Sequence, residues 1–129
     1  MLYRLLLRRG ALRAWDTLSR HEIERLPLGD GMRFRYEGDH ELAADLRSAE
    51  EVRAWLRDLF QRFPRLRFEV EEMVIAGPPW AVRAATRYRA VQDGELLYTG
   101  AHFVLMRWGR VTDERVLPDT AALERVMSG

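Results

Sequence analysis

Residues 96–120, LLYTGAHFVLMRWGRVTDERVLPDT, decide how this chain folds. Aliphatic, aromatic and β-branched residues fill both halves, and Trp108-Gly109-Arg110 interrupts them. The pattern reads as two long strands joined by a tight turn. Asp119-Thr120 can cap a last short helix that turns Leu123, Val126 and Met127 inward. The hairpin also holds His102, the best single candidate for a functional side chain, because imidazole changes charge near neutral pH.

Upstream of the hairpin, residues 80–91 read as a strand ending at the turn Gln92-Asp93-Gly94, and residues 68–75 as a strand ending at Gly77-Pro78-Pro79. Ser48-Ala49-Glu50-Glu51 is a capping box, in which a hydroxyl and a carboxylate each satisfy a free amide at a helix start. The helix after it carries Val52, Trp55, Leu56, Leu59, Phe60 and Phe63 on one stripe, and Pro64 stops it. Gly38-Asp39-His40-Glu41-Leu42 reads as a loop and residues 32–36 as a strand. Ser19-Arg20-His21-Glu22 has the form of a second capping box, predicting a short helix with Ile23 and Leu26 that ends at Pro27, with His21 exposed. Residues 1–18 place Leu2, Leu5, Leu6, Leu12, Trp15 and Leu18 along one helical stripe, with arginines opposite.

Strands joined by hairpins build a curved antiparallel sheet, and the helices must cover one face of it. The expectation is one α+β domain over residues 1–129, with a sheet wrapped like a cone around its helices.

Composition removes several chemistries. Hydrophobic residues are 47% and charged residues 32%, with a net charge of +1. That near-balance gives no global field for nucleic acid or an anionic membrane, so Arg4, Arg8, Arg9 and Arg13 read as a solvated helix face. No apolar run is long enough for a membrane span or a signal peptide, so a cytoplasmic protein is expected. Cysteine is absent, which excludes disulfides and thiolate chemistry. All 21 basic residues are arginine, which excludes Schiff-base chemistry and a phosphate-loop lysine. The three histidines, His21, His40 and His102, lack the spacing of a helical zinc site, and adjacent Asp39, His40 and Glu41 cannot easily face one ion. Neither metal nor cofactor is expected.

The order of elements, with these residues, resembles the SnoaL-like branch of the nuclear transport factor 2 superfamily, which also includes ketosteroid isomerases, limonene epoxide hydrolases and scytalone dehydratases. The resemblance covers nearly the whole chain. It is densest at Arg53-Ala54-Trp55, from Phe63-Pro64-Arg65 to Glu69-Val70, at Gly100-Ala101-His102-Phe103-Val104, and from Trp108-Gly109-Arg110-Val111 to Asp119-Thr120. It implies a ligand pocket between the concave sheet face and the helices, cofactor-free proton transfer, and a homodimer formed through the outer sheet face. One fold hosts many reactions, so the chemistry must come from the site.

Pairing the strands by their turns sets His102 opposite Val116 and Val104 opposite Glu114, Arg87 opposite Gly100, and Ala85 opposite His102. Period two then gathers Arg83, Ala85, Arg87, Tyr98, Gly100, His102, Glu114 and Val116 on one face. The other face would carry Val82, Ala84, Tyr88, Phe103, Leu105, Val111 and Leu117. A slip of one residue would exchange the two sets.

In the polyketide cyclases a strand histidine and an acid on the last strand line the pocket. His102 falls near the first position and Val116 at the second, where no proton is available. The isomerases use a helix tyrosine and a strand aspartate, and the corresponding regions here offer Ala14-Trp15 and Tyr36-Glu37. What remains is His102 as acid or base, Glu114 as its orienting group and Arg87 as holder of an oxyanion. Arg83, Trp15, Tyr36, Trp55, Tyr98 and Val116 are expected around the ligand. A buried Arg–Glu pair beside a hydrogen-bonded core histidine would give the same pattern with no chemistry. A non-catalytic ligand-binding or dimerisation domain is therefore the alternative to a pocket enzyme.

Overall fold

The computed structural model describes residues 2–128. Helix α1 (Leu2–Ser19) and a 3-10 turn (Ile23–Arg25) precede β1 (Leu28–Tyr36) and β2 (Ala44–Leu46). Helix α2 (Ala49–Arg62) follows, then β3 (Leu66–Ala76), β4 (Val82–Gln92), β5 (Glu95–Arg107), β6 (Arg110–Pro118) and helix α3 (Thr120–Ser128). The strands form one mixed, curved, unclosed sheet in the order β2-β1-β6-β5-β4-β3. All neighbours are antiparallel except β1 and β6, which run parallel. The fold is α+β, with the helices on the concave face.

Helix α2 begins as its sequence predicts. The Ser48 hydroxyl accepts from the Glu51 amide at 3.1 Å, and the Glu51 carboxylate accepts from the Arg47 amide at 3.3 Å. Its inward stripe buries Val52, Leu56, Leu59 and Phe60 against the core. Full burial of one such side chain stabilises by about 1.5–3 kcal/mol. Asp119 caps α3 by accepting from the Ala122 amide at 3.2 Å.

The second predicted capping box does not form. Helix α1 ends in a Schellman motif instead: the Glu22 amide donates to the Thr17 carbonyl at 3.1 Å and the His21 amide to that of Leu18 at 2.9 Å. His21 takes the left-handed conformation this ending requires, with φ of 61°. Ser19 is diverted to β3, where its hydroxyl accepts from the Phe68 amide at 2.9 Å and donates to the Phe68 carbonyl at 3.2 Å. Only a 3-10 turn remains of the expected helix. His21 is not an exposed residue either: its ring stacks on Phe60 at 3.7 Å, and Nε2 lies 2.6 Å from the Leu66 carbonyl.

Two of the sheet's bulges decide which side chains of β4, β5 and β6 face inward. The β4–β5 turn is Asp93-Gly94, with φ of 55° and 79°, the left-handed pair of a two-residue hairpin turn. Next to it the pairing is as expected, Gln92 with Glu95 and Val91 with Leu96. Leu97 is then an extra residue, so Ala90 pairs with Tyr98, Thr86 with His102 and Arg87 with Ala101. That shift of one turns the β4 faces over. Val82, Ala84, Thr86 and Tyr88 face the core, while Arg83, Ala85 and Arg87 lie on the outer face. A second bulge at Thr112 lets Val111 and Glu114 both point inward, and beyond it His102 pairs with Val116 as predicted.

Candidate functional site

The inner face of the sheet is organised in rows that cross its strands. One row runs Met73, Thr86, His102, Val116, Tyr36, and the next runs Ile75, Ala84, Val104, Glu114, Phe34. Between these rows and the helices lies a cavity of about 120 Å³. Ala11, Ala14, Trp15 and Leu18 of α1 form one wall, and Val52, Trp55, Leu56 and Leu59 of α2 another. The surroundings are overwhelmingly apolar, so the few polar groups inside stand out.

His102 and Glu114 sit on neighbouring strands in adjacent rows, so their side chains meet on the diagonal. His102 Nε2 lies 2.9 Å from a Glu114 carboxylate oxygen, and both side chains are largely buried, 15% and 17% exposed. Glu114 thereby fixes the imidazole: the carboxylate accepts from Nε2–H, which leaves the lone pair of a neutral ring on Nδ1. Trp15 stands edge-on to the imidazole, ring centres 4.9 Å apart, and also touches Phe68 and Tyr88. On the other side, Trp55 packs on Phe34 and Tyr36 and is held by donating its indole N–H to the Leu42 carbonyl at 3.0 Å.

Three tyrosines occupy one end of the cavity. The Tyr36 hydroxyl donates to that of Tyr98 at 3.2 Å, and the Tyr88 hydroxyl adjoins Tyr36. Burial first, and the fields of the neighbouring tyrosines second, hold all three phenols well above their ordinary pKa, so all stay neutral. Gly100 makes room for this group; a Cβ there would lie 2.6 Å from the Tyr88 hydroxyl.

The cavity thus brings together His102, Glu114, Trp15, Tyr36, Trp55, Tyr98 and Val116. It does not receive Arg87 or Arg83. Arg87 pairs with Glu72 at 3.4 Å on the solvent side, and Arg83 borders a groove on the outer sheet face. The bulge at Leu97 is the physical reason, and it removes the expected oxyanion holder. In exchange it presents Thr86 and Tyr88, which the turn-based pairing misses. The run Leu96-Leu97-Tyr98 breaks apolar–polar alternation and is the one local signal of that bulge.

The loop after β1 is structural. His40 Nδ1 accepts from the Leu42 amide at 3.2 Å, its Nε2–H donates to the Glu37 carbonyl at 3.0 Å, and Glu41 pairs with Arg62 at 2.7 Å. Leu42 is buried, and its carbonyl is the one that holds Trp55. Among the described residues no group of three or more His, Cys, Asp and Glu side chains could hold a metal ion. None of the described helices is long and apolar enough to cross a membrane.

A family model of the SnoaL-like domain matches residues 11–114. The chain belongs to the SnoaL-like domain family. Solved structures share its architecture at low sequence identity. Bal32a, from a soil-derived mobile gene cassette, aligns with a TM-score of 0.74 at 15% identity, covering 92% of this chain and 93% of that one. A putative SnoaL-like polyketide cyclase from Jannaschia sp. CCS1 aligns at 0.65 and 20% identity, covering 94% and 90%. An epoxide hydrolase from M. tuberculosis, resembling the limonene type, aligns at 0.63 and 17% identity, covering 93% and 87%. No curated protein matches the sequence. At such identities the neighbours show the SnoaL-like fold alone.

Proposed function

We propose that this SnoaL-like domain binds a small, largely apolar organic molecule in the cavity and moves a proton at it, with His102 as acid and base. The observation that carries this reading is the His102–Glu114 pair, 2.9 Å apart in a cavity otherwise walled by apolar side chains. In the resting state Nδ1 carries the lone pair. It takes a proton from the ligand, and the Glu114 carboxylate holds the imidazolium that forms. Nδ1 then returns the proton to another atom of the same molecule. The walls of Trp15, Trp55 and Phe34 hold the ligand against the imidazole, and a proton on Nδ1 that exchanges with solvent before its return carries solvent hydrogen into the ligand. Structural neighbours described as a polyketide cyclase and an epoxide hydrolase are consistent with a small organic ligand.

Exchange of the α-hydrogens of cyclohexanone for deuterium in D2O, followed by proton NMR, reads the transfer directly. The wild type accelerates exchange over buffer, and His102→Gln lowers that acceleration by about a hundredfold or more, the ordinary share of a positioned acid–base group. A variant as fast as the wild type, or a wild type no faster than buffer, sinks the assignment.

The same reading includes a homodimer formed through the outer sheet face. That face leaves Val74, Phe103 and Leu117 exposed around a groove edged by Arg35, Arg83, Asp113 and Arg115. An apolar centre with both charge signs at its rim suits a second copy of itself.

A further inference from the structure

Two polar atoms of the cavity have no partner. Thr86 is 3% exposed, and neither its hydroxyl nor His102 Nδ1 finds a hydrogen-bond partner among the described residues. They are not scattered. Thr86 and His102 are direct partners across β4 and β5, both on the inner face, so their side chains stand next to one another over the same space. A buried hydroxyl or imidazole nitrogen left unsatisfied is costly, and such groups persist where something else completes them.

We infer that Thr86 and His102 Nδ1 together form the oxygen site of the cavity, and that its ligand is a single-ring compound carrying a hydroxyl group, such as a phenol, an enol or a cyclic alcohol. This rests on the cavity being a ligand pocket, as proposed above. The chemistry of the two orphaned atoms selects the functional group. Nδ1 opposite a carboxylate-held Nε2–H accepts a hydrogen bond, and the Thr86 hydroxyl can donate one. A hydroxyl satisfies both at once, donating to Nδ1 and accepting from Thr86. A bare carbonyl satisfies Thr86 alone, and a hydrocarbon satisfies neither. Volume selects the ring count. An apolar cavity of roughly 150 Å³ holds a benzene, so about 120 Å³ bounded by Trp15, Phe34, Trp55 and Tyr88 suits one ring. Thr86 thereby occupies the role that the sequence assigned to Arg87.

Titration of the uniformly ¹⁵N-labelled chain with phenol and with toluene, one ring each, tests this. Thr86→Val keeps the side-chain shape and removes only the hydroxyl. It weakens phenol by about fivefold or more, the worth of one hydrogen bond, and leaves toluene unchanged. Thr86→Ser retains the affinity for phenol. In the wild type the Nδ1 resonance of His102 moves with phenol and not with toluene. Thr86→Val also unfolds no earlier on heating than the wild type, because the hydroxyl it removes has no structural partner. Toluene binding with a phenol affinity indifferent to Thr86→Val overturns the oxygen site and leaves the apolar pocket standing. Failure of both compounds to bind overturns the pocket reading and this inference together.

Discussion

Val116 stands directly across from His102 and carries no proton, so the carboxylate that reaches the imidazole comes from Glu114, one pleat along the same strand. The diagonal reach draws Nε2 toward β6 and leaves Nδ1 buried without a partner. An acid two residues away thus makes the contact to the imidazole that Val116 cannot make. The tyrosines at the other end make a different prediction. Tyr36, Tyr88 and Tyr98 have folded pKa values raised above the unfolded value of about 10. Their neutral state favours folding in full below that pH, and the benefit is lost as pH rises through the folded values. Each such tyrosine steepens the fall by on the order of 1 kcal/mol per pH unit. Urea unfolding on either side of pH 10, with tyrosinate absorbance, should show Tyr36, Tyr88 and Tyr98 ionising on unfolding and not in the folded chain. Ionisation of these three at the ordinary value in the folded chain would contradict this.

The elements show where sequence was legible and where it was not. Two stretches have the S-x-x-E form, at 19–22 and 48–51, and only the second is a capping box. Its flanks explain why: an unbroken apolar stripe follows Ser48, whereas Ser19 ends a helix that closes on His21 and lends its hydroxyl to β3. Ser48→Ala should therefore cost about 1 kcal/mol in urea unfolding, and Ser19→Ala should act through the α1–β3 contact, leaving the 3-10 turn in place. The hairpin at 96–120, its turn and its pairing of His102 with Val116 were readable, because alternation and turn residues are local. The face of β4 was not, because one extra residue, Leu97, reverses it. The short strand β2 has only three residues and no alternation to reveal it. The resemblance supplied the fold, and the rows across the sheet supplied the site.

For the whole molecule, the cone leaves one sheet face covered by helices and the other bare. Phe103, 43% exposed on the bare face, is the residue whose substitution tests the proposed homodimer. Light scattering should give a dimer for the wild type and a monomer for Phe103→Asp, with unchanged deuterium exchange per chain. A wild-type monomer at high concentration would remove the dimer. The parallel pairing of β1 with β6 has a consequence of another kind. Arg33 meets Asp113, so β1, which pairs locally with β2, reaches its other neighbour only once β6 has been made. The hairpins of β3 to β6 form between adjacent segments and can assemble quickly, while β1 waits on a distant contact. During synthesis the early segment, with Phe34 and Tyr36 still bare, leaves the ribosome before its docking strand exists. The interval between the two is when this chain is most open to aggregation and to capture by a chaperone.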